Sequence, residues 1–368
     1  MKWRTALLLT FASVAAAQAA PDAKPIVIGQ SLPLTGPAYP IANRIQAGAK
    51  AWIERINARG GIQGRPVEVV TVDDAADPQR LAANLRKLVQ DQGAVAIVNC
   101  LGEQACAQAA ATTAELGVPL VGAFSGAAAL RTPAMTHVFP LRADDKREAD
   151  ALARQLRAMG VSRTAWLADG EEPAREHALA NALAAEGIAA ARTSVTPSNI
   201  AAALQAAGKT SPQALLLSLG PASADALSRA GTASSEGLPL LVATLSSPGL
   251  TQITRLFRDR TVGFTSVVPN PEVSQLPLVR EFETDADAYV GPEAVSFEGL
   301  ASYIHLRVCT AALRAAGSRP DGRRLAEALD HLGTTDLGGL RLQMAPGQRQ
   351  GIELVEIGLR SRDGKLRR

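Results

Sequence analysis

From Pro25 onward, short β-branched runs alternate with amphipathic stretches that end in glycine, and this alternation leaves the chain few folds to choose from. Strands separated by helices pair in parallel, because each helical crossover returns the chain to run in the same direction. The first unit is the run Ile26-Val27-Ile28, a loop from Leu32 to Pro40, and a helix with Ile45, Ala49, Trp52, Ile53 and Ile56 on one face. Gly60-Gly61 stops it. The run Val67 to Val72 ends in Asp73-Asp74, and Asp77-Pro78 then offers an N-cap with proline at the first helical position. Leu81, Leu85, Leu88 and Val89 form the apolar stripe of that helix as far as Gly93. A strand from Ala94 to Val98, a helix from Glu103 to Leu116 with Gly117 as its stop, and a strand at Leu120-Val121 complete the block.

After Phe139-Pro140 the rhythm restarts, with helices expected over 144–159, 173–186, 199–207 and 222–233, and strands over 164–167, 188–193, 214–219 and 240–242. A strand over 262–268 runs into Pro269-Asn270-Pro271, where two prolines bar a helix and favour an extended crossing. Helices over 277–289, 296–316 and 321–332 follow. The end reads as two strands, 340–344 and 352–359, joined at Pro346-Gly347, with Asp363-Gly364 as a last turn. The expected fold class is α/β, with two doubly wound parallel-sheet lobes.

Ahead of this series, Lys2 and Arg4 precede the apolar run Ala6 to Val14 and the small-residue stretch Ala15 to Ala20, which is the layout of a cleaved secretory signal peptide, residues 1–19. Cleavage after Ala19 fits the small-x-small rule and keeps Pro21 out of the first mature position. Export to the periplasm as a soluble protein is the expectation, since the apolar run is too short to span a bilayer. The remaining 349 residues are more than one core usually serves and suggest two domains. Loss of Lys2 and Arg4 lowers the formal net charge from +3 to +1, so nucleic acid and anionic membranes are poor partners. With three cysteines, disulfides are not the main source of stability. Cys100 and Cys106 lie across a strand-to-helix turn, close enough either to pair or to remain thiols, and Cys309 is expected as a buried thiol on a helix.

Motifs for catalysis fail one by one. Gly208-Lys209-Thr210 follows a helix and has Ala203 where a phosphate loop needs glycine; Gly60-Gly61-Ile62-Gln63-Gly64 also follows a helix and reads as a stop and turn. His137, His177, His305 and His331 are scattered, so neither a metal nor another cofactor is expected. Ser125 is flanked by Ala123 and Ala127 where a nucleophile elbow needs glycines, and Cys100 has no base near it in sequence. Acid pairs at Asp73-Asp74, Asp144-Asp145 and Glu171-Glu172 stand where carboxylates usually cap helices. Binding remains as the role, and open parallel sheets bind small molecules beyond the carboxyl ends of their strands. The loops there are 34–39, 100–105 and 124–128 in the first lobe, and 169–173, 220–223 and 244–247 in the second.

The chain resembles the leucine-binding family of type I periplasmic solute-binding proteins. The resemblance is carried by Leu34-Thr35-Gly36-Pro37, Gly48-Ala49, Ile56-Asn57-Ala58-Arg59-Gly60-Gly61-Ile62-Gln63-Gly64, Asp73-Asp74-Ala75-Ala76-Asp77-Pro78 and Gly117-Val118-Pro119-Leu120-Val121, and near the end by Leu337-Gly338-Gly339-Leu340-Arg341-Leu342. It is strong before residue 142 and weak from 165 to 260. It implies a three-crossing hinge, placed at Leu141-Arg142, Val268-Pro269 and Gly339-Leu340, with a first lobe of 20–141 plus 269–339 and a second of 142–268 plus 340–368. The implied role is a monomeric, non-enzymatic solute receptor that closes on an amino acid or another small polar or carboxylated metabolite and delivers it to an ABC permease in the inner membrane. The alternative is a sensor reporting to a signalling partner. Tyr39, Glu103, Gln104, Phe124, Ser125, Gly126, Glu172, Pro173, Gly220 and Thr244 are the candidate ligand-binding residues. Pro173, Gly220 and Thr244 stand where amino-acid binders of the family carry tyrosines and an acid, so the usual amino-acid clamp is broken; Glu171 or Glu172 is the candidate replacement for the acid. The cysteine that often follows Asp-Asp-Ala is Ala76 here, which removes the family's common disulfide.

Overall fold

The computed structural model describes residues 24–230, 237–246, 250–361 and 366–367. The expected signal peptide with its cleavage point, the end of the helix expected over 222–233, Ser247 and the expected Asp363-Gly364 turn lie outside the described residues. In chain order the elements are β1 Ile26–Leu32, α1 Tyr39–Ala58, β2 Val67–Asp73, α2 Pro78–Gln90, β3 Ile97–Leu101, α3 Glu103–Leu116, β4 Leu120–Phe124 and β5 Val138–Phe139. Next come α4 Asp145–Ala158, β6 Arg163–Ala168, α5 Pro173–Ala185, β7 Ala189–Ser194, α6 Ile200–Lys209, β8 Ala214–Ser218, α7 Pro221–Ala230, β9 Leu241–Thr244, α8 Leu250–Leu256 and β10 Thr261–Ser266. The last are α9 Pro277–Tyr289, α10 Phe297–Ala315, α11 Gly322–Asp330, β11 Gly333–Asp336, β12 Arg341–Ala345, β13 Gln348–Gly351, β14 Glu356–Arg360 and β15 Leu366–Arg367.

Two sheets organise these elements. The first has the order β2-β1-β3-β4-β5, all parallel, with β1 and β2 in register from Ile26 opposite Val67 to Leu32 opposite Asp73. The second has the order β15-β14-β10-β9-β8-β6-β7, parallel from β10 to β7 and antiparallel where β14 and β15 join it. Each is covered on both faces, as a doubly wound sheet must be where its central strands are apolar on both sides. On the first sheet, α1, α9 and α10 bury Trp52, Ile56, Phe282 and Tyr303 on one side, while α2 and α3 bury Leu81, Leu85 and Ala109 on the other. On the second, α4 and α5 bury Leu152 and Leu179 opposite the layer of Ile200, Leu227 and Ile253. The fold is thus the mixed α/β arrangement with parallel sheets that the alternation of strands and helices demands.

The start signals hold locally. Asp77 accepts a hydrogen bond from Gln79 N at 2.8 Å, Asp144 from Arg147 N and Asp321 from Arg324 N, and Gly117 leaves α3 in the left-handed conformation. The C-terminal region differs from expectation. Leu340, Leu342, Met344 and Ile352 pack into the core of the first sheet, and β12 pairs with β11 and β13 in a separate three-stranded sheet, so residues 340–351 do not join the second lobe. The third passage between sheets falls after Gly351 and before Glu356, not at Gly339-Leu340, because the apolar side chains of β12 find their partners on the first lobe. Residues 352–355 are accordingly a connector and not part of a strand. The short helix α8 has no counterpart in the sequence reading. Among the described residues, no helix is long and apolar enough to cross a membrane.

Candidate functional site

The carboxyl ends of both sheets face one cavity of about 690 Å³, a size that suits a small-molecule site. The first lobe contributes Asp74, Asp77, Pro78 and the segment Leu101 to Ala105; the second contributes Asp169 to Pro173, Arg175, Glu176, Gly220 and Thr244. A disulfide joins Cys100 at the end of β3 to Cys106 in the first turn of α3, which closes the loop bearing Glu103 and Gln104. Glu103 reaches across the cavity, and its Oε2 accepts a hydrogen bond from Ala174 N at 3.0 Å. The first lobe therefore caps a helix, α5, that belongs to the second. Burial, followed by the nearby negative charge of Glu172, raises the Glu103 carboxyl above its ordinary range despite that bond.

Seven carboxylates and one guanidinium line the cavity among the described residues. Six of the seven already have donors. Asp74 is buried and accepts from Ser31 Oγ at 3.1 Å and Ala76 N at 2.9 Å; Asp77 caps α2; Glu103 caps α5. Asp169 accepts from Gly220 N at 2.8 Å and Glu171 N at 3.2 Å, Glu176 from Gly170 N at 2.8 Å and from Arg192, and Glu172 pairs with Arg175 at 3.0 Å. Of the seven, only the Glu171 carboxylate has no hydrogen-bond donor among the described residues, although the Glu171 N–H itself donates to Asp169. The Glu171 carboxylate lies over Gly220, where a Cβ would stand 1.7 Å from Oε2, so glycine at 220 is what gives it room. Loss of solvent there, and then the charges of Asp169 and Glu172, push its pKa up to about 7.

Behind this wall lies a buried ion cluster. Glu148 on α4 is fully enclosed: its Oε2 takes Arg142 Nη2 at 2.5 Å and Ser246 Oγ at 2.8 Å, and its Oε1 takes Arg175 Nη2 at 2.9 Å and Thr265 Oγ1 at 2.7 Å. Ser246 N also donates to Glu148, and Arg175 donates to Ser246 O. Burial alone would raise the Glu148 carboxyl, but Arg175 and Arg142 outweigh it and hold the group below its ordinary value. The same geometry opposes the desolvation of Arg175 and raises its pKa. Arg175 keeps one open donor, because its buried Nε has no partner. A smaller void of about 70 Å³ shares Leu101 and Arg175 with the main cavity and is lined also by Ile41, Phe124 and Phe297.

Of the residues expected at the site, Glu103, Gln104, Glu172, Pro173, Gly220 and Thr244 line the main cavity, and Phe124 lines the smaller void. Tyr39 does not: it is 49% exposed at the start of α1, and neither void includes it. Ser125 and Gly126 are also turned to another use. Ser125 Oγ accepts from Ala127 N, and Gly126 O accepts from Asp145 N at 3.0 Å, so the entry to α4 packs against the small-residue loop that was expected to meet a ligand. Asp145, buried against it, has a pKa pushed up to about 6 by burial, with Arg175 and Arg142 opposing. Asp169 falls in the loop 169–173 expected at the site, and Asp74 was expected as a helix cap; Arg175 and the Glu148 cluster have no counterpart in the sequence reading. No group of three or more His, Cys, Asp or Glu among the described residues is placed to hold a metal ion.

Comparison with known proteins agrees with this geometry. The profile of the periplasmic binding protein family matches residues 25–357. A Leu/Ile/Val-binding protein of Rhizobium johnstonii is 29% identical over 131 residues, which is 36% of this chain and 35% of that protein. The Leu/Ile/Val-binding protein of Escherichia coli K12 is 34% identical over 85 residues, 23% of this chain and 22% of its own. The matched stretch thus spans about a third or less of these curated relatives. Likeness in fold extends much further. A possible leucine/isoleucine/valine-binding protein from Rhodopirellula baltica superposes with a TM-score of 0.82 at 24% identity, covering 95% of this chain and 97% of the other. A leucine-binding protein from Thermotoga maritima gives 0.76 at 17% identity, covering 93% and 97%.

Proposed function

Because the chain belongs to the periplasmic binding protein family, we propose that it is an exported receptor that holds one small polar solute between its lobes and presents it to an ABC permease for import. The observation that carries this reading is the 690 Å³ cavity shared by the carboxyl ends of both sheets and bridged by Glu103. Closure on a solute is a population shift between open and closed arrangements, driven by contacts that exist only when the lobes meet. The Glu103 bond to Ala174 N is one such contact within the protein, and a solute bound to both walls supplies the rest. Relatives named for leucine, isoleucine and valine make solutes of amino-acid size the first to try.

Thermal unfolding of the mature chain across a panel of amino acids, amides, amines and organic acids tests the proposal. At a hundred times Kd, a ligand that binds only the folded state adds about 2.7 kcal/mol to stability, enough to move the melting point by several degrees. Absence of any shift across the panel overturns the reading.

A further inference from the structure

Resting on the reading that the interlobe cavity takes one solute, we propose that this solute is a net-cationic molecule without a carboxylate. Its amine or amidine group meets Glu171, and a neutral hydrogen-bond acceptor, a carbonyl or hydroxyl, meets Arg175 Nε. Three features of the cavity lead there.

The first is the sign of the field. Seven carboxylates face one guanidinium, and that guanidinium already pairs with Glu148 and Glu172. A carboxylate on the ligand would enter against a surplus of its own charge, whereas a cation enters with it. The second is the state of the helix starts. Four helices, α2, α3, α5 and α7, begin at the cavity, and helix N-termini ordinarily attract anions. Here proline at positions 78, 173 and 221 removes the first amide donor from three of them. Asp77 and Glu103 consume further donors of α2 and α5. The chain's own carboxylates thus occupy places that a ligand carboxylate would use.

The third feature is the pair of open valences. The Glu171 carboxylate lines the cavity, is partly open to solvent and has no donor among the described residues, so a cationic group on a ligand can take it without displacing a partner of the protein. Arg175 is only 8% exposed, lines the cavity, and its Nε donor is unmet. One ligand with a cationic donor and a neutral acceptor satisfies both. Leu101, Leu217, Leu219 and Leu245 leave room for an apolar portion between or beside them.

The test is calorimetric titration of the mature chain at pH 8 with matched probes: leucinamide, agmatine and 1,4-diaminobutane as cations, leucine and arginine as amino acids, 4-methylpentanoate and succinate as acids. The expected result is binding confined to or tightest in the cationic set, with Kd weakened about tenfold or more by Glu171→Gln, the scale of a lost charged hydrogen bond. Gly220→Ala, whose new Cβ displaces the Glu171 carboxylate, gives a loss in the same direction and serves as a second variant with Glu171 intact. If an acid or an amino acid binds tightest, or if both variants leave the Kd of the best cation within twofold, the cation assignment is overturned while solute binding stands. If no probe binds and no solute of the wider panel does, the solute-binding reading falls as well.

Discussion

Glu148→Gln is the most informative single substitution in the framework behind the cavity. The wild-type carboxylate is fully buried between Arg142 at 2.5 Å and Arg175 at 2.9 Å, with hydroxyl donors from Ser246 and Thr265. At an effective dielectric of about 20, a unit-charge pair near 3 Å is worth roughly 5 kcal/mol before desolvation is subtracted. Removing one partner leaves the other's burial cost unmet, and the observed penalty for such breaks is about 3–5 kcal/mol. Glutamine keeps the volume but replaces one acceptor oxygen with an NH₂ that faces donors. The expected loss is therefore about 3–5 kcal/mol, or a fall of about 10 °C in melting temperature for a lobe of this size. Urea unfolding followed by the fluorescence of Trp166, which lies in β6 of the same lobe, measures it. The sign of the pH dependence adds a check. The folded carboxyl titrates below its ordinary 4.5, so between those values the unfolded chain binds more protons and wild-type stability falls with falling pH. Glutamine has no such term, and the gap between wild type and variant narrows as pH drops below about 4.5. A loss under about 1 kcal/mol at pH 7, or a gap that does not change with pH, refutes the assigned role of the cluster.

Three further outcomes follow from other parts of the molecule. Gly122→Ala places a Cβ 2.2 Å from the buried His305 ring, at a backbone φ of +69°, so circular dichroism melts should show a loss of several kcal/mol or no soluble protein, against a near-neutral change expected at an open turn. His305 donates Nδ1 to Asn99 Oδ1 at 2.7 Å, and burial, then the charge of Arg142, lowers its pKa to about 3. The unfolded histidine takes a proton near 6.5 and the folded one does not, so this group's contribution is intact above about 6.5 and shrinks by roughly 1.4 kcal/mol per pH unit down to about 3; His305→Gln, measured over pH 4–7, should flatten that slope. Cys100→Ala with Cys106→Ala opens the loop that carries Glu103, which costs about 2 kcal/mol by loop entropy and weakens whatever ligand the cavity takes; equal affinity with and without the disulfide would show that the loop holds its shape unaided.

Much of the fold is legible in the sequence because its signals are local. Asp77-Pro78 and Gly117 act within one helical turn, and the apolar stripe of α1 is written at helical spacing. The part of the candidate cavity that follows from topology is legible too: Glu103, Glu172, Pro173, Gly220 and Thr244 lie past strand ends, where any doubly wound sheet offers a cavity. What escaped depends on distant partners. Ser125 and Gly126 look like open ligand donors until the entry to α4 packs on them, and residues 340–351 look like a return to the second lobe until Leu342 and Met344 meet the first core. Arg175 and Glu148 stand 27 positions apart and meet Ser246 another 71 positions on, so nothing in their neighbourhoods announces a cluster.

Native mass spectrometry of the protein as isolated tests the central claim most directly. The expected result is one small molecule bound per chain, released on unfolding and held less tightly by Glu171→Gln. A chain that carries nothing as isolated, and that takes up no solute after unfolding and refolding in a metabolite extract, contradicts it.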